Sequence, residues 1–117
     1  MSEIDIPYRK SGDELEECLN EWDKAIDEWQ IQADEYAEVE STFKSWESAQ
    51  KRAIMMASKA SAVAAEAEIR GGGHWQMQYA ETQKLGNAAE ALRKKIRVCE
   101  ARFEAQRSRE ASLRQVR

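Results

Sequence analysis

Helix-breaking residues are scarce in this chain of 117 residues. It contains one proline and five glycines, and three of the glycines stand together at residues 71–73. It also lacks any run of about 20 apolar residues, the length that a membrane-spanning helix needs. Charged residues make up 34% of the chain. This composition excludes a membrane protein of the helical type and favours long helices over a compact α/β core.

Residues that carry chemistry are equally scarce. The only histidine, His74, follows a glycine run that lacks the Lys and Ser/Thr of a phosphate-binding loop. Cys18 and Cys99 match no metal or redox spacing, so we predict free thiols at apolar helix positions. We therefore predict no enzymatic activity, no cofactor and no metal site. Residues 1–10 lack the apolar core of a signal peptide, which predicts a cytoplasmic protein.

Apolar residues in the first half of the chain recur at alternating steps of three and four, as in a coiled coil. Two consecutive short steps around residues 41–46 predict a stammer and a kink there. Beyond them the pattern continues through an alanine-rich stretch. We predict a flexible lead-in over residues 1–10 and then one helix from about residue 13 to 70. Its predicted seam before the kink is Leu15, Leu19, Trp22, Ile26, Trp29, Ala33 and Tyr36, and after it Gln50, Ala53, Ala57, Ala60, Ala64 and Ala67.

A second seam follows the glycines and keeps strict steps of four and three, which predicts a helix over residues 74–113. A glycine turn at 71–73 between two long helices predicts an all-α, antiparallel helical hairpin with an alanine-rich seam, filling residues 11–117 as one domain. Folding there sets Ala60 near Leu85 and Ala53 near Leu92. The second seam comprises Gln78, Thr82, Leu85, Ala89, Leu92, Ile96, Cys99, Phe103, Gln106, Glu110 and Leu113.

Such a hairpin leaves the start of the first helix without an intramolecular partner. The unpaired part measures about 17 residues, or about 25 Å at 1.5 Å per residue. Because an apolar stripe of that length needs cover, we predict a homo-oligomer. The alternative is a three-helix monomer in which the first helix folds back near Ser41. The predicted oligomer interface is Leu15, Leu19, Trp22, Ile26 and Trp29.

The two halves of the chain are oppositely charged. The net charge is −11 over residues 1–50 and +7 over residues 51–117. An arginine-rich helix can follow a nucleic-acid backbone, and His74, Trp75 and Tyr79 could stack on unpaired bases. The alternative is that these cations pair with the carboxylates of the first helix around residues 34–40. The predicted nucleic-acid contacts on the second helix are Arg93, Lys94, Arg97, Arg107 and Arg109.

Two stretches carry a family resemblance, the alanine-rich helix and glycine turn at residues 59–73 and the terminal residues 102–114. These stretches, which with their surroundings cover about half of the chain, resemble small helical accessory proteins of tailed bacteriophages and UvsY-type recombination mediators. The resemblance implies a homo-oligomer that binds single-stranded DNA and helps to load a recombinase. It also implies DNA contacts at Lys59 and Arg70, whereas the acidic first half departs from the pattern.

Three functions are therefore open at this stage. The first is a non-enzymatic accessory protein of DNA recombination or replication, which binds single-stranded DNA, a recombination protein or both through its basic helix. The second is an adaptor coiled coil that binds only protein. The third is an acidic inhibitor that occupies a nucleic-acid groove on another protein. None of them involves a membrane or a small-molecule substrate.

Overall fold

The computed structural model describes the backbone of residues 11–116 and the side chains of residues 13–115. This part of the chain folds as three helices, α1 (Ser11–Ser58), α2 (Ala62–Arg70) and α3 (Gly73–Val116). The predicted all-α hairpin class is confirmed, and the lead-in at residues 1–10 lies outside the described residues. No helix found in the described residues is both long and apolar enough to cross a bilayer.

The helices contribute to two compact units. The terminal unit combines α1 up to Gln30 with α3 from Glu90 onward, and the central unit comprises Ile31–Ala89. In the terminal unit, Gln106 donates a hydrogen bond to Glu14 at 2.9 Å and Arg102 donates one to Glu21 at 3.3 Å. Residue numbers thus rise along α1 as they fall along α3, so the helices are antiparallel here.

The central unit has the same antiparallel pairing between α1 and the start of α3. The indole Nε1 of Trp75 donates to Glu47, and Gly86 lies against the ring of Tyr36. The residue midway between either pair is 61, and not 72. The register of the hairpin therefore indicates a reversal about ten residues before the predicted glycine turn.

The chain does reverse at residues 59–61. The hydroxyl of Ser58 donates to the carbonyl of Ile54 at 2.7 Å in the last turn of α1. Lys59 then adopts a left-handed conformation with φ of 55°. Ser61 caps α2 by accepting a hydrogen bond from the amide of Ala64 at 3.2 Å. The segment from Ser58 to Ser61 thus reverses the chain, as a glycine turn was predicted to do.

The prediction of one continuous helix over residues 13–70 is therefore wrong, because this range contains two helices, α1 and α2. The glycine turn predicted at residues 71–73 is reduced to a step between α2 and α3, where the amide of Gly71 donates to the carbonyl of Ala67 at 3.0 Å. The predicted kink near residues 41–46 does not interrupt α1. The last helix was predicted well, since α3 extends the predicted 74–113 by only a few residues.

The unpaired overhang predicted for α1 does not exist. The ring of Trp22 lies 5.5 Å from that of Phe103 within the same chain, measured between centroids. Because the reversal comes earlier than Gly71, α3 reaches far enough to pair with the beginning of α1. The argument from an overhang to oligomerisation is therefore wrong, and any self-association needs another physical reason.

The seam predicted for α3 is confirmed almost throughout. Its ten positions from Gln78 to Glu110 are all buried or half-buried, and only Leu113, at 50% exposure, is open. The hydroxyl of the buried seam residue Thr82 donates to the carbonyl of Gln78 at 2.8 Å, whereas Oε1 of the buried Glu110 has no hydrogen-bond partner in the described part of the chain. The strict alternation of steps made this helix the more predictable of the two long ones.

The seam of α1 is shifted by one residue at every second position. Ala25 is fully buried and Cys18 is half-buried, whereas Leu19 is 39% exposed and Ile26 is 36% exposed. With this phase the steps alternate without a stammer, so the predicted stammer is wrong. The observed seam is Leu15, Cys18, Trp22, Ala25, Trp29, Gln32, Tyr36, Val39, Phe43 and Trp46.

The alanine-rich seam predicted beyond Trp46 is mostly open to solvent. Five of its six predicted members are exposed, including Ala53. The residues that α2 buries are Ala65 and Ile69 instead. The predicted contacts of Ala60 with Leu85 and of Ala53 with Leu92 are wrong, because the earlier reversal aligns this part of α1 with α2. The exposed members are Gln50, Ala53, Ala57, Ala64 and Ala67.

Lys59 offers a direct test of the reversal. An L-residue in the left-handed region costs about 1–2 kcal/mol, which glycine avoids. We expect Lys59→Gly to raise the free energy of unfolding by up to about 1 kcal/mol, measured by urea denaturation. The control Arg52→Gly lies inside α1 and should lower it by about 1 kcal/mol. If Lys59→Gly destabilised the protein as much as Arg52→Gly does, a continuous helix would be indicated instead.

Gly86, inside α3, is explained by its neighbour across the hairpin. A Cβ atom at this position would lie 3.0 Å from Cε1 of Tyr36 and 3.2 Å from its Cζ. The missing side chain therefore gives the tyrosine ring room against the helix. The helix-propensity cost of this glycine, about 1 kcal/mol relative to alanine, is offset by that contact.

This explanation predicts strong coupling between Gly86 and Tyr36. In the wild-type background, Gly86→Ala should give no net stabilisation, because the new methyl group displaces the ring. In a Tyr36→Ala background the same change should stabilise by about 1 kcal/mol. The exposed neighbour Asn87 serves as control, since Asn87→Ala should stabilise equally in both backgrounds. Equal effects of Gly86→Ala in both backgrounds, by thermal or urea unfolding, would contradict the explanation.

Candidate functional site

The outer side of α3 in the terminal unit carries cations and small residues. Lys95, Arg102 and Arg109 are seven residues apart, which places them on one row along the helix. The neighbouring outward rows add Lys94 and the small side chains of Ala91, Val98, Ala101 and Ala105. The carboxylates of this stretch fall on the seam or the other flank. We call Lys94, Lys95, Arg102 and Arg109 the cationic face.

Two members of the cationic face also pair with α1. The Nζ of Lys95 lies 3.7 Å from Glu28, and Nη1 of Arg102 lies 3.3 Å from Glu21. All four side chains keep between 38% and 63% of their surface exposed, so each pair contributes no more than about 1 kcal/mol. A groove of about 350 Å³ runs between these pairs, with Cys99 among its lining residues. The alternative prediction, that cations of the last helix pair with carboxylates of α1, is thus partly correct. The carboxylates involved are at residues 21 and 28 rather than 34–40.

The structure brings together only part of the predicted nucleic-acid contacts. Lys94 and Arg109 belong to the cationic face, and they form no ion pair with a described residue. Arg93 and Arg97 are exposed on the other flank of α3, and Arg107 is bound to Glu104 at 3.0 Å. Two members of the face, Lys95 and Arg102, were not among the predicted nucleic-acid contacts. Their heptad row, which the correct seam of α3 already defined, was the signal that could have found them.

The two contacts implied by the family resemblance lie in the central unit. Lys59 occupies the reversal between α1 and α2. Arg70 is engaged within the unit, since it pairs with Glu66 at 2.6 Å and with Glu47 at 3.6 Å. Its guanidinium also stacks over the ring of Trp75, 5.5 Å from the centroid. Arg70 thus fastens the end of α2 to the hairpin, a structural role that competes with any contact to DNA.

The aromatic residues near the glycines form a packed cluster in the central unit. Trp75 stacks on Tyr79, with centroids 4.8 Å apart and planes at 11°. His74 meets Trp46 edge-on at 4.7 Å, and Phe43 lies 5.8 Å from Trp75. Because these rings already stack on one another, the structure favours a packing role for them over base stacking.

The predicted oligomer interface lies on one flank of α1 in the terminal unit. Leu19 and Ile26 are its exposed members, and Leu15, Trp22 and Trp29 are half-buried. Spacings of four and three keep all five on one broad stripe, which we call the apolar flank. The Nε1 atom of Trp22 is buried and has no hydrogen-bond partner in the described part of the chain. On α1, the carboxylates Glu21 and Glu28 lie on the other side of the seam.

One titratable pair in the central unit is perturbed. The hydroxyl of Tyr36 donates to the carboxylate of Glu40, which also accepts from Lys44 at 3.2 Å. The hydrogen bond to Glu40 raises the pKa of Tyr36 above its usual 10.0, and burial adds to this. The same bond, with help from Lys44, lowers the pKa of Glu40 below its usual 4.5. Both groups border a groove of about 250 Å³.

Comparison with known proteins gives no relative. No protein-family model, no curated protein and no solved structure matches the chain. Among the described residues, no three metal-binding side chains come together. Cys18 and Cys99 are free cysteines, as predicted.

The bond between Tyr36 and Glu40 predicts a shifted titration. Because the carboxylate accepts the phenolic proton, Glu40→Gln should lower the pKa of Tyr36 toward 10.0. Nuclear magnetic resonance of labelled tyrosine ring carbons would follow this residue alone. The control Glu38→Gln removes a nearby exposed charge and should leave the curve of Tyr36 almost unchanged. Equal small shifts in both variants would show that Tyr36 senses only net charge.

Proposed function

We propose that this protein is a non-enzymatic accessory protein of DNA recombination or replication, which binds single-stranded DNA through the cationic face of α3. The observation that supports this proposal is the segregation of charge on that helix. The three rows of the cationic face from residue 91 to 115 hold four cations and no carboxylate, whereas Glu100 and Glu104 lie on the other flank. A helix face of this kind suits a chain of phosphates, whose binding is driven by release of counterions.

The ion pairs to α1 do not prevent this binding. Exposed pairs such as Arg102 with Glu21 are worth about 0–1 kcal/mol, so a phosphate can replace the carboxylate at small cost. Arginine also binds phosphate in a bidentate manner, which strengthens the exchange. Lys94 and Arg109 need no exchange, because they make no ion pair with a described residue. The four cations therefore act together as a phosphate-binding row.

Binding through this face does not read the base sequence. Among its neighbours on the outer rows are alanines, serines and Val98, none of which offers an aromatic ring to a base. The rings of the central unit are stacked on one another and on Arg70. We therefore expect similar affinity for single strands of different sequence.

A protein-binding adaptor is the second candidate, and the apolar flank favours it. Leu19 and Ile26 expose hydrophobic surface beside three half-buried large side chains. In an adaptor, the pairs of Lys95 and Arg102 with α1 would be the final positions of these cations, and DNA would not displace them. The two candidates therefore make opposite predictions for binding to an oligonucleotide.

The salt dependence of binding tests the proposal. If four cations each contact a phosphate, log affinity should fall against log salt concentration with a slope of about −3 for single strands. Fluorescence anisotropy with a labelled oligonucleotide would measure it. Lys94→Glu combined with Arg109→Glu should at least halve this slope, and neither change removes a described ion pair.

The control carries the same change of charge elsewhere. Arg52→Glu with Lys84→Glu alters two exposed cations of the central unit and should weaken binding only slightly. Equal loss in both double variants would mean that net charge alone drives binding. Absence of binding to the wild-type protein at about 50 mM salt, where phosphate contacts are strong, would exclude the proposal and leave the adaptor.

A further inference from the structure

The terminal unit covers its own large side chains poorly. In the described part of the chain, no large side chain is fully buried, and the buried apolar residues are mainly alanines. On the apolar flank, Trp22 and Trp29 are only half-buried although they occupy seam positions. Two helices alone cannot enclose a tryptophan layer, because each seam residue is shielded from one direction only.

The apolar flank has the pattern of a helix that packs against two neighbours. Leu15, Trp22 and Trp29 form a row that faces α3, and Leu19 with Ile26 form the adjacent row. A stripe two rows wide is typical of bundle helices, whereas a two-stranded coiled coil needs only one seam. Single exposed apolar residues are ordinary, but five on one stripe form a patch that calls for cover.

The charges that border this flank are complementary to each other. On the side of α1 the exposed carboxylates Glu16 and Asp23 follow the row of Leu19 and Ile26. On the corresponding flank of α3, Arg93 and Arg97 are exposed and form no ion pair with a described residue. The same flank also holds Glu100 and Glu104, and Glu104 pairs with Arg107. A twofold axis perpendicular to the helices, at about the level of Asp23, would bring Glu16 of one copy to the level of Arg93 of the other.

From this arrangement we infer that the apolar flank binds a second copy of the chain, related by a twofold axis, as an antiparallel four-helix bundle. In this dimer, α1 of each copy packs antiparallel against α1 of its partner, and the tryptophan layer becomes a closed core. The cationic face lies on the other flank and remains open in both copies. The inference does not depend on DNA binding, so the two proposals can fail separately.

The mass of the purified protein gives the first test. Light scattering coupled to gel filtration should give twice the chain mass of 13.4 kDa. Leu19→Asp with Ile26→Asp should raise the dimer dissociation constant at least hundredfold, while circular dichroism shows that the helices persist. The matched control, Ile31→Asp with Val63→Asp, changes more exposed residues outside the flank and should leave the dimer intact. A monomeric wild-type protein, or equal masses for both double variants, would overturn the inference.

Charge exchange between copies gives the second test. Glu16→Arg with Asp23→Arg reverses the charges that α1 contributes to the flank, and Arg93→Glu with Arg97→Glu reverses the unpaired charges that α3 contributes. Each variant alone should be monomeric, and an equimolar mixture should form a heterodimer. If the mixture stays monomeric while the wild type is dimeric, the proposed twofold arrangement is wrong. Oligonucleotide binding by Leu19→Asp with Ile26→Asp should persist, which separates this inference from the proposed function.

Discussion

The place where the chain reverses controls the contacts between the two long helices. Helices are stiff, and their register is fixed once the turn joining them is fixed. A reversal at residues 59–61 brings Phe103 to Trp22 in the terminal unit and Gly86 to Tyr36 in the central unit. A reversal at Gly72 would pair Trp22 with positions beyond residue 117. The left-handed Lys59 and the Ser61 cap therefore decide which side chains meet.

What could be predicted from the sequence was the helix with one consistent pattern. In α3 the apolar and small residues admit a single phase, so its seam and its extent followed from spacing alone. In α1 two phases share Leu15, Trp22 and Trp29, and they differ in whether Cys18 and Ala25 or Leu19 and Ile26 face inward. Bulk favours the leucine and isoleucine, but the small residues face inward in the structure. Which phase faces inward depends on the helix that packs against α1, so the sequence of α1 alone does not determine it.

The position of the reversal at residues 59–61 also could not be predicted from local sequence preferences. Glycine was expected to make the turn because it adopts the left-handed region at low cost, and Lys59 adopts it instead. A serine cap is worth about 1 kcal/mol, which alone does not outweigh a run of good helix formers. The pairing of α1 with α3 favours the reversal at residues 59–61 over a continuous helix, because the earlier reversal gives the start of α1 a partner. The members of the cationic face could not all be predicted for the same reason. Lys94 and Arg109 differ from Arg107 in their ion pairing, which the three-dimensional structure determines.

The two flanks of the terminal unit divide its chemistry. Among the seam residues on the side of the cationic face, Cys18, Ala25 and Cys99 are small, so they need little cover. On the other side the seam holds Trp22 and Phe103, which a single pair of helices leaves half-exposed. Hydrophobic burial is roughly proportional to the area removed from water, so the second side gains far more from a partner. An apolar contact therefore suits the flank with the large rings, and a phosphate chain suits the flank with the cations. The uneven distribution of side-chain size along α1 and α3 is thus the physical basis for assigning different partners to the two flanks.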